Sequence, residues 1–174
     1  MSNETRSKKI KMILMDVDGT LTNGTLLLLP DGEELKGYHV RDGMGIIMAH
    51  LVGLKTGIIT GKSSKALMHR AKRLKVQEVH QGILDKKSVL LDIARKHELD
   101  LEEIAFIGDD LGDLSLIKSV GLSAAVADAH PEIKRHCHFP CSKNGGQGAV
   151  REFIEFILKA QGYSWKSIEE KMLL

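Results

Sequence analysis

At 174 residues, with 43% hydrophobic and 28% charged side chains, the chain is long enough to bury a real core as one domain without a disulfide framework. A formal net charge of only +2 argues against an extended nucleic-acid surface, although Arg6, Lys8, Lys9 and Lys11 give the start of the chain a basic character, and residues 1–9 read as a flexible, solvating arm. No apolar run approaches the roughly 18 residues of a membrane span, and the N-terminus lacks the apolar stretch of a secretory signal, so a cytoplasmic protein is expected.

The first predicted core strand is Met12-Ile13-Leu14-Met15, which ends abruptly in Asp16-Val17-Asp18-Gly19. Two carboxylates one residue apart, followed at once by a turning glycine, can point into a common pocket, where they repel unless something positive sits between them. A strand-ending turn with solvated aspartates is the simpler alternative on this segment alone. Thr25 to Pro30 and Glu33 to Val40 then flank Asp31-Gly32 and predict a β-hairpin. Leu26 to Leu29 are four consecutive leucines, too many for one face of a protruding hairpin, which is therefore expected to pack against another subunit or over the site.

The helix expected from Gly43 to Leu51 carries Met44, Ile47, Met48 and Leu51 as its apolar stripe. Lys55 to Thr60 reads as a second core strand, Ser63 to Leu74 as a helix, and Gln77 to His80 as a short strand. Lys86 to His97 follows as a helix buried through Val89, Leu90, Ile93 and Ala94. Ile104 to Ile107 is a third core strand running into Gly108-Asp109-Asp110, then Leu111 to Ser119 is helical and Leu122 to Val126 a strand. Pro131 opens a short helix, Gly145 to Gly148 is a flexible loop, Ala149 to Ala160 is an amphipathic helix, and Ser164 caps a last turn or two.

Short strands alternating with helices of about ten residues specify an α/β fold, a Rossmann-like doubly wound parallel sheet with helices on both faces. The expected organisation is a single domain over 10–162, with the hairpin at about 25–40 and a C-terminal tail over 163–174. Cys137 and Cys141 sit in His136-Cys137-His138-Phe139-Pro140-Cys141, whose spacing lacks the separated pairs of a structural zinc site and which reads as a strand and loop.

In such sheets functional groups collect beyond the carboxyl ends of the strands. Here those ends carry Asp16 and Asp18, then Thr60-Gly61-Lys62, then Asp109 and Asp110 with Asp113 one helical turn on. Thr60 could merely cap the next helix, and Asp109 or Asp110 the one from Leu111, but three carboxylates in five residues exceed what one cap requires. Lys86 stands at a helix start, where the macrodipole disfavours a cation, and so points to an anion or carboxylate it must reach. A carboxylate pair, a hydroxyl, a lysine and a second carboxylate cluster suit phosphoryl transfer through an aspartyl phosphate, with Mg2+ taking oxygen from Asp16, Asp109 and the carbonyl of Asp18.

Taken in order, Asp16-Val17-Asp18-Gly19-Thr20, Thr60-Gly61-Lys62, Lys86, and Gly108-Asp109-Asp110-Leu111-Gly112-Asp113 resemble the four motifs of the haloacid dehalogenase superfamily of phosphatases. A closer similarity runs from about Ile10 to Gly162. It is carried by Asp31 to Lys36, Val40 to Gly43, Gln81-Gly82, Val126 to Pro131 and Gly145 to Glu152, and it points to the branch acting on eight-carbon 3-deoxy keto sugar acid phosphates of lipopolysaccharide precursor synthesis. The resemblance implies that Asp16 is the nucleophile and Asp18 the acid and then the base. It implies that Thr60 and Lys86 hold phosphoryl oxygens, that Asp109 binds Mg2+, and that Asp110 and Asp113 orient their neighbours.

The same resemblance implies a homotetramer without a large cap domain, in which the hairpin of one subunit closes the site of another. Gly61, Lys62 and Arg70 are the candidate substrate-binding residues, Arg70 and Arg41 serving equally well as surface ion-pair partners. Lys62 stands where the eight-carbon branch usually carries Arg, as in relatives acting on nine-carbon ulosonate 9-phosphates, and Gln147 also replaces a common Arg. The remaining alternative is a non-catalytic phosphoacceptor or scaffold module, which would not need Asp18 as proton donor.

Overall fold

A computed structural model describes residues 1–173; the last residue of the expected tail, Leu174, lies outside the described residues. The chain forms a six-stranded sheet of β1 (Met12–Met15), β4 (Lys55–Ile59), β5 (Glu78–His80), β6 (Ile104–Gly108), β7 (Leu122–Ala125) and β8 (Phe139–Pro140) in the order β5-β4-β1-β6-β7-β8. Every neighbouring pair is parallel. The doubly wound reading therefore holds, and β1 to β4 to β5 run outward on one side before the chain returns to β6 on the other. Right-handed crossovers then place the helices of the two halves on opposite faces and leave a crevice between β1 and β6, where the winding reverses. All four side chains of β1 are fully buried, as a central parallel strand requires.

Helices α2 (Val40–Leu51) and α7 (Ala149–Ala160) pack on each other, with α1 (Asn3–Ser7) against α7 and α8 (Trp165–Met172) against α2. Helices α4 (Lys86–Lys96), α5 (Leu114–Ile117) and α6 (Pro131–His136) form a second contiguous group, while α3 (Lys65–Leu74) joins β4 to β5 beside α2. Ser164 caps α8 with a reciprocal Ser167 bond, and Phe139-Pro140 is the edge strand expected around the cysteines.

Several expectations need correction. Residues 1–9 are not a loose arm: α1 is docked, with Asn3 Nδ2 donating to His138 O at 2.7 Å and Arg6 Nη1 to Gly121 O at 2.8 Å. The hairpin is shorter than its sequence pattern, pairing only β2 (Leu27–Leu28) with β3 (Glu34–Leu35), and Val40 already opens α2. The apolar stripe of α2 is rotated: Ile46, Met48 and Ala49 are buried, whereas Met44 and Ile47 are exposed. The cause is a close approach at Gly45, where a Cβ would lie 3.2 Å from Arg151 Cα of α7, so a glycine face rather than a methionine face meets the partner helix. Where one helix was expected over Leu111 to Ser119, a 3₁₀ turn at Leu111–Asp113 precedes the four-residue α5.

Candidate active site

Parallel register brings the strand ends level. Met15 of β1 lies opposite Ile58 of β4 and Ile107 of β6, so the residues that follow each strand emerge at one edge, Asp16 between Thr60 and Asp109. Asp16 N–H still continues the ladder, donating to Ile107 O at 3.1 Å. The chain then coils on the carbonyl of Val17, which accepts from the N–H groups of Thr20, Leu21 and Thr22 at 2.9–3.1 Å. Gly19 holds φ at +92°, and a Cβ there would sit 2.1 Å from Asp109 Oδ2; glycine is what lets the fourth-motif carboxylate lie against this turn.

Lys86 begins α4, whose N-cap Asp85 accepts from Ser88 N. Its buried ammonium donates to Asp16 Oδ1 and to Asp113 Oδ1, each at 2.6 Å. This is the carboxylate that its unfavourable place at a helix start required. Asp113 also accepts from Asp109 N–H through Oδ2 at 3.0 Å, a reach made possible by Gly108, whose missing Cβ would fall 2.2 Å from that same oxygen. Thr20 Oγ1 donates to Asp109 Oδ1 at 3.1 Å.

Carboxylate oxygens of Asp16, Asp109 and Asp113 lie within 4.8 Å of one another. Lys86 bonds two of these three carboxylates and leaves Asp109 without an ammonium, and the imbalance shows in their acidity. Burial and the repulsion of Asp113, against the pull of Lys86, push the Asp16 carboxyl up to about 7. Burial and the charges of Asp16 and Asp113 push Asp109 up to about 8. Burial works against the Lys86 ammonium, but the two carboxylates it bonds outweigh that and raise its pKa overall. An all-oxygen, anion-rich pocket of this kind fits a hard divalent cation such as Mg2+.

The remaining expected residues divide. Thr60 is buried at the end of β4, its backbone tied to His80 O and Ile83 N. Gly61 and Lys62 follow it in an exposed loop. Arg70 of α3 does not stand free on the surface. Its guanidinium packs over Gly43 of α2, in a groove that it lines with Tyr38 and His39. Asp110 is exposed, and its Oδ1 accepts from Leu111 N–H at 2.8 Å to cap the 3₁₀ turn that carries Asp113. Asp113 lies in the carboxylate group with Asp16 and Asp109 and also bonds Lys86 and the Asp109 backbone.

Asp18, expected to offer the metal only its carbonyl, keeps its carboxylate out of that group and bonds the ammonium of Lys36. Lys36 and Tyr38 escaped sequence reasoning. Nothing in their spacing reveals that the chain leaving the hairpin brings Lys36 onto Asp18 and Tyr38 near enough to feel its charge. The glycine-rich loop is also not loose, because Gly146 N–H donates to Thr20 O at 2.9 Å and Gly145 N–H to Asp128 Oδ1 at 2.9 Å, clamping the turn after Asp18.

The model of the haloacid dehalogenase-like hydrolases matches residues 72–154. The 3-deoxy-D-manno-octulosonate 8-phosphate phosphatase of Salmonella typhi is 39% identical over 158 residues, covering 91% of this chain and 84% of the relative. Among solved structures, a probable yrbi family phosphatase from Pseudomonas syringae superposes with a TM-score of 0.94 at 40% identity, over 99% of this chain and 97% of the other. The 3-deoxy-D-manno-octulosonate 8-phosphate phosphatase of Moraxella catarrhalis, in complex with a magnesium ion, a phosphate ion and KDO, gives a TM-score of 0.91 at 34% identity over 98% and 96% of the two chains. With four motifs at one sheet edge, a lysine-bridged carboxylate cluster and relatives alike over nearly their whole length, the chain belongs to the haloacid dehalogenase-like hydrolases, in the family of the 3-deoxy-D-manno-octulosonate 8-phosphate phosphatases.

Proposed function

We propose that this protein is a magnesium-dependent phosphomonoesterase that hydrolyses 3-deoxy-D-manno-octulosonate 8-phosphate to the free sugar acid and phosphate, a step in lipopolysaccharide precursor synthesis. The observation that carries the reading is Lys86 bridging Asp16 and Asp113 beside Asp109 at the crevice between β1 and β6. Asp16, Asp109, the carbonyl of Asp18 and, from its place in the cluster, Asp113 would hold Mg2+. The ion would offset the charge gathered by the phosphoryl group and the carboxylates.

Asp16 attacks phosphorus while Asp18 gives a proton to the departing sugar oxygen, so one phosphorus–oxygen bond forms as the ester bond breaks. Asp18 then takes a proton from the water that cleaves the aspartyl phosphate and restores Asp16. Lys86 steadies Asp16 and the phosphoryl oxygens, helped by the Thr60 hydroxyl, and Gly61, Lys62 and Arg70 face the sugar. Asp110 keeps its cap at the rim.

The exposed leucines of the hairpin support a homotetramer closed by hairpin contacts. Two free cysteines and no helix long and apolar enough to cross a membrane, among the described residues, support a cytoplasmic site. The test is phosphate release from the eight-carbon 8-phosphate and a nine-carbon ulosonate 9-phosphate at matched concentrations, with Mg2+ and with a chelator. Preference for the eight-carbon ester, abolished by the chelator, is expected. Preference for the nine-carbon ester would reassign the sugar on the strength of Lys62, and no hydrolysis of either would favour a phosphoacceptor or scaffold.

A further inference from the structure

On the return strand of the hairpin the usual pattern is inverted. Leu35 points to solvent, while the next residue, Lys36, turns inward until only 4% of its side chain is exposed. There its ammonium bonds Asp18 Oδ1, with Glu34 Oε2 at 3.6 Å as a second, looser partner. Burying an ammonium costs several kcal/mol unless it is paired, and the partners Lys36 meets where it turns in are the carboxylates of Asp18 and Glu34. Inward charges can also guard a strand edge against mispairing, but that purpose does not require meeting the residue that moves the proton.

The two oxygens of Asp18 are thereby made unequal. Oδ1 is taken by Lys36, whereas Oδ2 is buried and has no hydrogen-bond partner among the described residues. The phenol of Tyr38, two residues beyond Lys36, is likewise buried without a partner and feels the charge of Asp18. We infer that Lys36 is a positioning residue that holds Asp18 by Oδ1 so that Oδ2 gives and takes the proton, tying the acid–base step to the docked hairpin.

The inference rests on the reading of Asp18 as the acid and base. In the first half-reaction the proton leaves Oδ2 for the ester oxygen as that bond to phosphorus breaks and the bond from Asp16 forms. In the second it returns to Oδ2 from water as water oxygen binds phosphorus and the Asp16 bond breaks. Any neighbour that packs on the hairpin leucines would steady this arrangement through Lys36, without itself touching the substrate.

Pre-steady-state kinetics of Lys36→Met, with each of two phosphate esters in excess over enzyme, tests it. General acid catalysis contributes about 10²–10⁴-fold where the leaving group is a poor one. Release of the sugar from the eight-carbon 8-phosphate should fall about 10–100-fold in the variant, whereas the first release of p-nitrophenolate from p-nitrophenyl phosphate, which leaves without a proton, should change less than about threefold. The nitrophenolate trace should show a burst and then a slower steady state, because hydrolysis of the aspartyl phosphate still needs Oδ2. An unchanged melting temperature confirms that the exposed hairpin has not unfolded the protein.

Equal losses on both esters, or no loss on either, would overturn the inference. Asp18→Asn is the control that separates the two failures. It should show the same contrast between esters more strongly. If it does and Lys36→Met does not, the inference falls alone; if Asp18→Asn shows no contrast, the assignment of Asp18 falls and takes the inference with it.

Discussion

A methyl group on Gly145 would lie 1.7 Å from the carbonyl oxygen of Gly19 and 3.1 Å from that of Thr22, with no flexible side chain in the way to yield. Gly145→Ala must therefore push the glycine-rich loop off the turn that carries Asp18. Overpacking against backbone costs about 1–3 kcal/mol. The expected outcome is a melting temperature lowered accordingly and a turnover loss larger than that destabilisation explains, measured by thermal unfolding and phosphate release on the same preparation. At this scale the sequence was informative where charge chemistry is local: Asp16 and Asp18 at a strand end, and Lys86 against the dipole of its own helix, announce partners. It was silent where the partner arrives from a distant segment. Lys36 meets Asp18 only because the hairpin folds back, and Asp113 rather than Asp110 enters the cluster because the missing Cβ of Gly108 leaves room for it.

Among the elements, β5 and α4 are joined by a polar knot outside the active site. Glu78 is buried, with Lys96 Nζ at 2.6 Å, His97 Nε2 at 2.8 Å and His80 Nε2 at 2.9 Å. Lys55 Nζ lies 3.0 Å from His97 Nδ1, so that nitrogen accepts and Nε2 carries the proton toward Glu78. Burial alone would raise the Glu78 pKa, but the bonds from Lys96, His97 and His80 outweigh it and bring it from 4.5 to about 2. A depressed carboxylate pKa stabilises the fold above the unfolded-state value and loses that contribution as pH falls through the folded one. Breaking such a buried arrangement by Glu78→Gln should cost about 3 kcal/mol near neutral pH. In denaturant unfolding the gap between wild type and variant should stay constant down to about pH 5 and close toward pH 2; a gap independent of pH would contradict the role given to Glu78. Element boundaries followed the sequence closely where periodicity was strong, as in α7, whose bounds match the pattern residue for residue. Periodicity failed for the buried face of α2, where Gly45 sets a close helix contact that no hydrophobic stripe encodes.

For the whole molecule, the doubly wound sheet was legible because strand and helix alternate at short spacing, and the winding reversal beside β1 followed from strand order rather than from any local signal. What one chain leaves unfinished is the hairpin: Leu26, Leu27, Leu28 and Leu35 are all about half exposed or more, on a surface where single chains rarely gather so much apolar area. If the hairpin carries the proposed tetramer, Leu27→Glu with Leu28→Glu should reduce it to smaller species in light scattering after gel filtration while leaving the fold intact; a wild-type tetramer whose mass the variant keeps would remove the hairpin from the assembly. All of this serves a single chemical centre, in which Asp16 is the proposed phosphoryl acceptor. The most direct measurement is phosphate release from 3-deoxy-D-manno-octulosonate 8-phosphate by Asp16→Asn in the presence of Mg2+. Removing one of three crowded carboxylates relieves repulsion, so the variant should fold at least as well as wild type, while turnover falls by about 10³-fold or more, as expected when a covalent nucleophile is lost. A folded Asp16→Asn enzyme that still turns over within tenfold of wild type would contradict the account.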